Sequence, residues 1–354
     1  MRTPDTRIRG LDVARGIAVL GMFTAHTISV SDPEGGFVVL DELAGGTRPR
    51  MLFALVGGIS LGLLVARAPV ASRAQRMEIR RQIAIRGLAL FGLGLLLQLF
   101  FSGVSIVIDE WGLLFLLMVP LLFVRTAWLL GGAAVLVVAG TIAIVAGVGP
   151  TPDGSGDEAE VTRVVVSQSL SWLFTGSYPL VTWLPSIAAG YVLARCDLTR
   201  AATQAWMSAA GSAVFIVGLV IATLVDPAGA LATWPAALAT QLSALGLAAA
   251  LVGILVWATS NRLGGVGRMF GRILYPLAAA GAMPLTVYTV HVLVLAAWYV
   301  IDPAGWAPDA TTWTIFTIVT LVLAPLWRLT LGQGPLERVL AILSGRRADA
   351  PRAR

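Results

Sequence analysis

Apolar stretches of roughly twenty residues, interrupted by clusters of Arg, Asp, Pro and Gly, recur along the whole chain. Ten can be marked, at residues 11–30, 49–66, 83–101, 111–124, 127–148, 180–194, 206–225, 235–257, 274–300 and 312–329. Most are long enough to cross a bilayer core, and they are apolar on all sides rather than along one stripe. The pattern predicts an all-α fold: a polytopic integral membrane bundle of about ten transmembrane helices. An even number of crossings puts both termini on one side. The first run is too long for a signal peptide and lacks its small-residue cleavage site, so it is expected to persist as a helix.

Composition excludes a soluble domain: of 354 residues 57% are hydrophobic and only 12% charged, and the mean hydropathy is +0.84. Every basic residue is arginine, and the net charge of +6 is unevenly spread. Arg2, Arg7 and Arg9 precede the first run, six arginines lie between Arg67 and Arg86, and Arg125, Arg195, Arg200, Arg262, Arg268, Arg272 and the tail arginines fall in connections of the same parity. The opposite connections carry only Arg48, Arg50 and Arg163 and hold most of the carboxylates. By the positive-inside rule the arginine-rich face and both termini are cytoplasmic, which assigns the charge to topology rather than to nucleic acid. The single cysteine, Cys196, allows no internal disulfide. The predicted localisation is a cell membrane, crossed many times.

Ionisable groups inside an apolar run are costly and therefore point to function. The first run carries Asp12, Arg15 and His26. At about 100° and 1.5 Å per residue, eleven positions bring His26 to within about 20° of the azimuth of Arg15 and about 16 Å farther along the helix. Both are expected to face one cavity, with Asp12 pairing to Arg15 from three positions back. A cation near the inner boundary and an imidazole farther out suit transfer of an acyl group from a phosphorylated, long-armed thioester: the arginine holds phosphate, and the imidazole deprotonates the acceptor or takes the acyl group itself. The plainer alternative has Arg15 snorkelling to headgroups and His26 bonding a neighbouring helix.

Further candidates group at the two ends. Arg80, Arg81 and Arg86, in an expected basic amphipathic turn or short helix at 67–86, offer phosphate contacts or simple attraction to anionic headgroups. His291 lies in the ninth run beyond Pro284, with Tyr288 its closer neighbour and Thr286 farther round, and is a second catalytic candidate or a packing histidine. On the outer side Arg48 and Arg50 can bind an acceptor anion or pair with Asp109 and Glu110, which can instead cap a helix start. Tyr178 suits sugar stacking or the aromatic belt, and Gln98 is a polar wall residue or one interhelical hydrogen bond. Glycines 57, 58, 62, 87, 92 and 94 are expected at close helix contacts. A short amphipathic piece is expected at 161–173. No metal-ligand spacing, no G-x-S-x-G elbow and, without lysine, no phosphate-binding P-loop is present, so metal and ATP chemistry are not expected.

The segment RIRGLDVARGIAVLGMFTAH, Arg7 to His26, resembles the first helix of the transmembrane acyltransferase superfamily, and Arg15 and His26 fall on the Arg-x10-His pattern of its acyltransferase-3 branch. GGTRPRMLFALVGGISLGLL, GSYPLVTWLPSIAAGYVLAR, GAMPLTVYTVHVLVL and GPLERVL are similar to bacterial members of the heparan-alpha-glucosaminide N-acetyltransferase-like and YeiB-like branches. The lysosomal branch takes its histidine from the loop after the first helix; residues 31–47 here offer none, leaving His26 for that role. The resemblance implies a cytoplasmic N-terminus at 1–10, a transmembrane acyltransferase-like domain at 11–340 and a basic cytoplasmic tail at 341–354. It implies roles for Arg15 and His26; joined with the residue-level reading, the expected catalytic groups are His26 and His291, the donor-binding groups Asp12, Arg15, Arg80, Arg81 and Arg86, and the acceptor-binding groups Arg48, Arg50, Asp109, Glu110, Tyr178 and Tyr288. Acetyl-CoA or another acyl-CoA would be the co-substrate, and an extracytoplasmic sugar, glycolipid or amine the acceptor. Membrane lipids are expected partners, nucleic acid is not, and a homodimer is compatible. The competing expectation is a proton-coupled transporter or flippase of a small or lipid-linked substrate.

Overall fold

The computed structural model describes residues 7–28, 47–66, 72–101, 103–147, 171–175, 178–227, 231 and 233–345. Expectations for Arg67, Arg163, 29–46, 161–170 and 346–354 lie outside them. Among the described residues all regular structure is helical. In chain order the helices are α1 (Arg9–Thr27), α2 (Thr47–Ala66), α3 (Arg73–Phe100), α4 (Ile108–Leu121), α5 (Thr126–Val145), α6 (Leu180–Leu193), α7 (Ala201–Val225), α8 (Trp234–Ala258), α9 (Gly264–Ile273), α10 (Tyr275–Gly281), α11 (Pro284–Ile301), α12 (Ala310–Thr330) and α13 (Pro335–Leu343). Seven of these, α2, α3, α5, α7, α8, α11 and α12, are long and apolar enough to cross a membrane, and the chain is a multi-pass membrane protein on that basis.

Most of α1 is buried, and it packs against α2, α8, α10, α11 and α12. Its charged residues therefore face protein, the environment that makes them tolerable at membrane depth. Helices α5, α7 and α12 bury little of themselves and form the periphery. Glycines set the close approaches. Gly58 of α2 sits against the carbonyl of Ile187 and Gly190 of α6 against that of Leu55, a reciprocal contact in which a side chain on either helix would push the two apart. Gly87 meets α4 at Gly112, and Gly94 meets it at Asp109. Gly92 is the exception to the expected set: it is exposed and a Cβ there would meet nothing.

Three expected boundaries are corrected. The basic segment 67–86 is no separate turn from residue 73 onward, because Ser72 and Gln75 form a capping box (Gln75 N–H to Ser72 Oγ 3.2 Å, Ser72 N–H to Gln75 Oε1 3.0 Å) that starts the 28-residue α3 there. The ninth run is two helices. Pro284 has no N–H to continue α10 and disfavours helical geometry at Met283, whose φ of −136° and ψ of 52° break the axis. Finally, the fourth run starts at Ile108 rather than 111, after an N-cap at Val107, so Asp109 and Glu110 lie in the first turn, at the helix N-terminus where carboxylates are favourable, without being the N-cap itself.

Candidate functional site

Arg15 is fixed on every side. It donates to Asp12 Oδ1 at 2.9 Å, to the carbonyl of Gly281 at 2.7 Å and to Ser60 Oγ at 2.7 Å, while Ser60 in turn donates to the Val56 carbonyl. Asp12 is shared, since Arg7 also donates to it at 2.5 and 3.2 Å. The expected pairing of Asp12 with Arg15 is thus present, and Arg7 and Ser60 complete it. The acceptor at Gly281 exists because α10 ends there; an unbroken helix would have used that carbonyl internally.

The break has a second consequence. The first turn of α11 would carry unsatisfied N–H groups, and Glu337 of α13 supplies the acceptor: its Oε1 accepts from the N–H of Leu285 (2.7 Å) and Thr286 (3.1 Å), and its Oε2 from the Thr286 hydroxyl (2.5 Å). A carboxylate on a helix N-terminus is favourable with the macrodipole. Thr286 therefore serves this cap and not His291.

These groups line a cavity of about 450 Å³. Its polar end holds Arg7, Asp12, Arg15, Ser60, Arg86 and Glu337, three guanidinium groups against two carboxylates. Its walls are apolar, with Phe53, Leu90, Trp111, Phe115 and Leu285, and Val107, Ile108 and Tyr288 also border it. Of the expected donor residues, Asp12, Arg15 and Arg86 come together here. Arg80 and Arg81 do not: Arg80 lies over the Phe123 ring at 5.4 Å, and Arg81 is exposed in an ion pair with Glu78 at 2.9 Å.

Arg15 and His26 both meet the 275–301 segment, Arg15 at Gly281 and His26 at His291, as their shared azimuth requires. They do not share one open passage. Neither histidine lines the cavity, and Tyr288 stands between: its ring makes edge contacts with His26 (5.9 Å) and His291 (4.9 Å), and its hydroxyl accepts from the Val107 N–H at 3.1 Å. The reason is the bulk of Tyr288 one turn before His291, which helical register alone does not reveal.

The two histidines, 265 positions apart, bond through His26 Nδ1 and His291 Nε2 at 2.8 Å, with rings nearly parallel at 20°. Their tautomers follow from one neighbour. His26 Nε2 lies 3.1 Å from the carbonyl of Ser105, which can only accept, so the neutral ring carries its proton on Nε2 and presents a bare Nδ1. His291 must then donate from Nε2, and its own Nδ1 is left without a hydrogen bond among the described residues. One proton lies between the two facing nitrogens, Nδ1 of His26 and Nε2 of His291. Phe23 and Phe316 close round His291 at 4.7 and 6.1 Å.

A second buried polar group adjoins. Asp109 is fully buried, and its Oδ2 accepts from Gln98 Nε2 (2.8 Å) and Trp172 Nε1 (3.0 Å), while its carboxyl and that of buried Glu110 lie within hydrogen-bonding reach of each other. Arg50 lies over the ring of buried Tyr178 at 5.0 Å. Of the expected acceptor residues, Arg50, Asp109 and Glu110 lie near enough to Tyr178 to interact with it, and Asp109 and Glu110 near enough to Tyr288 as well. Arg48 is half-buried in the first turn of α2. Sequence reasoning missed Arg7, Ser60, Ser105, Gly281 and Glu337 as site residues; only Glu337 left a signal, as the one carboxylate of the GPLERVL segment.

No protein-family model matches this chain and no curated protein matches its sequence, so the site rests on its own geometry.

Proposed function

We propose that this protein is an integral-membrane acyltransferase that moves an acetyl or other small acyl group from cytoplasmic acyl-CoA to a sugar, glycolipid or amine acceptor on the other side. The observation that carries this reading is the cavity that joins a guanidinium cluster to Tyr288, against which the imidazole pair packs. Arg7, Arg15 and Arg86 suit the donor phosphates as charge-assisted partners. The apolar walls and the volume suit a pantetheine arm, with the nucleotide held at the mouth. Tyr288 uses its oxygen to accept from Val107 and so keeps its own proton for a thioester carbonyl. With Tyr288 displaced from in front of the imidazole pair, the acceptor's hydroxyl or amine attacks that carbonyl, the C–S bond breaks as the C–O or C–N bond forms, the pair takes the acceptor's proton, and the departing thiolate recovers it. Arg48, Arg50, Asp109, Glu110 and Tyr178 are the acceptor side.

This reading includes a bacterial cytoplasmic membrane, about ten crossings and both termini in the cytoplasm, in line with the arginine distribution. Helix α1 and the 14-residue α4 and α6 would supply the three crossings beyond the seven long apolar helices.

The broken α10–α11 pair favours one alternative, a proton-coupled transporter or flippase, because interrupted helices with exposed carbonyls commonly form substrate sites in transporters. Calorimetry with acetyl-CoA separates the two. Binding is expected for the parent protein, and Arg15→Ala should weaken it about ten- to a hundredfold. His26→Ala should bind donor normally and lose transfer. Absence of binding in the parent at millimolar acetyl-CoA, or full transfer by His26→Ala, overturns the acyltransferase reading.

A further inference from the structure

Helix α9 was not anticipated in the sequence. Four of its ten residues are apolar, Val266, Met269, Phe270 and Ile273, at spacings that gather them within about 100° of arc on a helical wheel. All four are exposed, Ile273 to 63%. Arg268 and Arg272 occupy the opposite arc and are exposed as well, and Gly264, Gly265, Gly267 and Gly271 fill the rest. At ten residues the helix is too short to cross a bilayer, and no described element covers its apolar arc.

Position and charge say what does. The Arg9 guanidinium comes to 3.4 Å from where a side chain on Gly271 would begin, so α9 lies beside the start of α1, at the end of the bundle that holds the cavity's arginines. Exposed Arg262 leads into the helix. Among the described residues Asp197 acts on Arg262 and is already engaged by Arg200 at 3.5 Å; hydrogen bonds from Thr199 hold its carboxyl below the usual range, so it stays ionised at neutral pH and offsets one cation. Arg9, Arg268 and Arg272 remain as a cationic patch beside an apolar arc, the arrangement of a helix lying in the interfacial plane with its apolar face among acyl chains.

We infer that α9 is an in-plane anchor that binds anionic phospholipid, its apolar arc in the acyl region and Arg268 and Arg272 on headgroup phosphates. The anchor is tied directly to the cavity. Leu274 both ends α9 and precedes α10, and α10 ends at Gly281, whose carbonyl holds Arg15. The inference uses only the membrane class of the protein and is independent of acyl transfer.

Native mass spectrometry of the full-length protein released from vesicles of phosphatidylcholine with phosphatidylglycerol reads the preference. The parent should retain phosphatidylglycerol over phosphatidylcholine. The double variant Arg268→Gln/Arg272→Gln should lower that ratio by roughly tenfold or more, since each arginine near an anionic surface contributes about fivefold; both side chains are exposed, so the fold is preserved. Phe270→Ser/Ile273→Ser should lower retention of both lipids, which free inorganic phosphate as competitor should not do. An unchanged ratio in the arginine variant, or displacement of bound lipid by inorganic phosphate alone, overturns the proposal. A dimer abolished by Phe270→Ser, with no lipid preference, assigns the face to a second copy and overturns it equally.

Discussion

Gly16 and Gly281 bring α1 and α10 together so closely that a methyl group on either would meet backbone: Leu277 for Gly16, Asp12 and Gly16 for Gly281. Backbone cannot turn aside as a side chain can. Gly16→Ala or Gly281→Ala should therefore destabilise the protein by about 1–3 kcal/mol, measured by thermal unfolding in detergent. Gly92→Ala, with nothing within 4 Å of the added carbon, should be neutral or gain up to about 1 kcal/mol from helix propensity. The sequence shows these glycines alike, because a wheel gives a residue's direction and not what stands opposite. The same limit applies to the histidines. His26 and His291 were each legible as intramembrane titratable groups, but their hydrogen bond, and the tautomers that the Ser105 carbonyl imposes, depend on contacts across 265 and 79 positions.

At the scale of elements, the interruption between α10 and α11 organises the site. Pro284 is the residue in the sequence that falls at it. The break frees the Gly281 carbonyl for Arg15 and the α11 N-terminus for Glu337, two contacts that a continuous helix would not offer. Glu337→Ala removes the acceptor for two N–H groups and one hydroxyl; it should lower stability by about 1–3 kcal/mol, with Glu337→Gln losing less because the amide keeps one acceptor oxygen. Thermal unfolding of the two variants beside the parent checks the order. An α10–α11 unit that tolerates both substitutions unchanged would show that the cap is not what holds the break open.

Across the whole molecule, the arginine distribution and the helix order make one accessible position informative. Cys196 is the single cysteine, exposed just after α6. With both termini in the cytoplasm and the proposed crossings, it lies on the cytoplasmic face. A membrane-impermeant maleimide should therefore leave it unmodified in intact cells and label it in inverted vesicles. Labelling in intact cells would reverse the orientation and with it the sidedness of donor and acceptor.

The sequence by itself determined the class. A chain with this much apolar surface in runs of bilayer length has no alternative to helices packed in a membrane, because unpaired backbone groups cannot be left in hydrocarbon. It also singled out Asp12, Arg15 and His26, since charge at membrane depth stands out against an apolar background. The tertiary structure decided how those residues are used: Arg15 is held between α2 and α10, the imidazoles are paired behind Tyr288, and Glu337 reaches in from α13. Helix period and hydropathy are local, single-chain properties. A cavity depends on which helix is broken, which glycine admits a neighbour and which side chain fills the remaining space, and those depend on partners hundreds of residues apart.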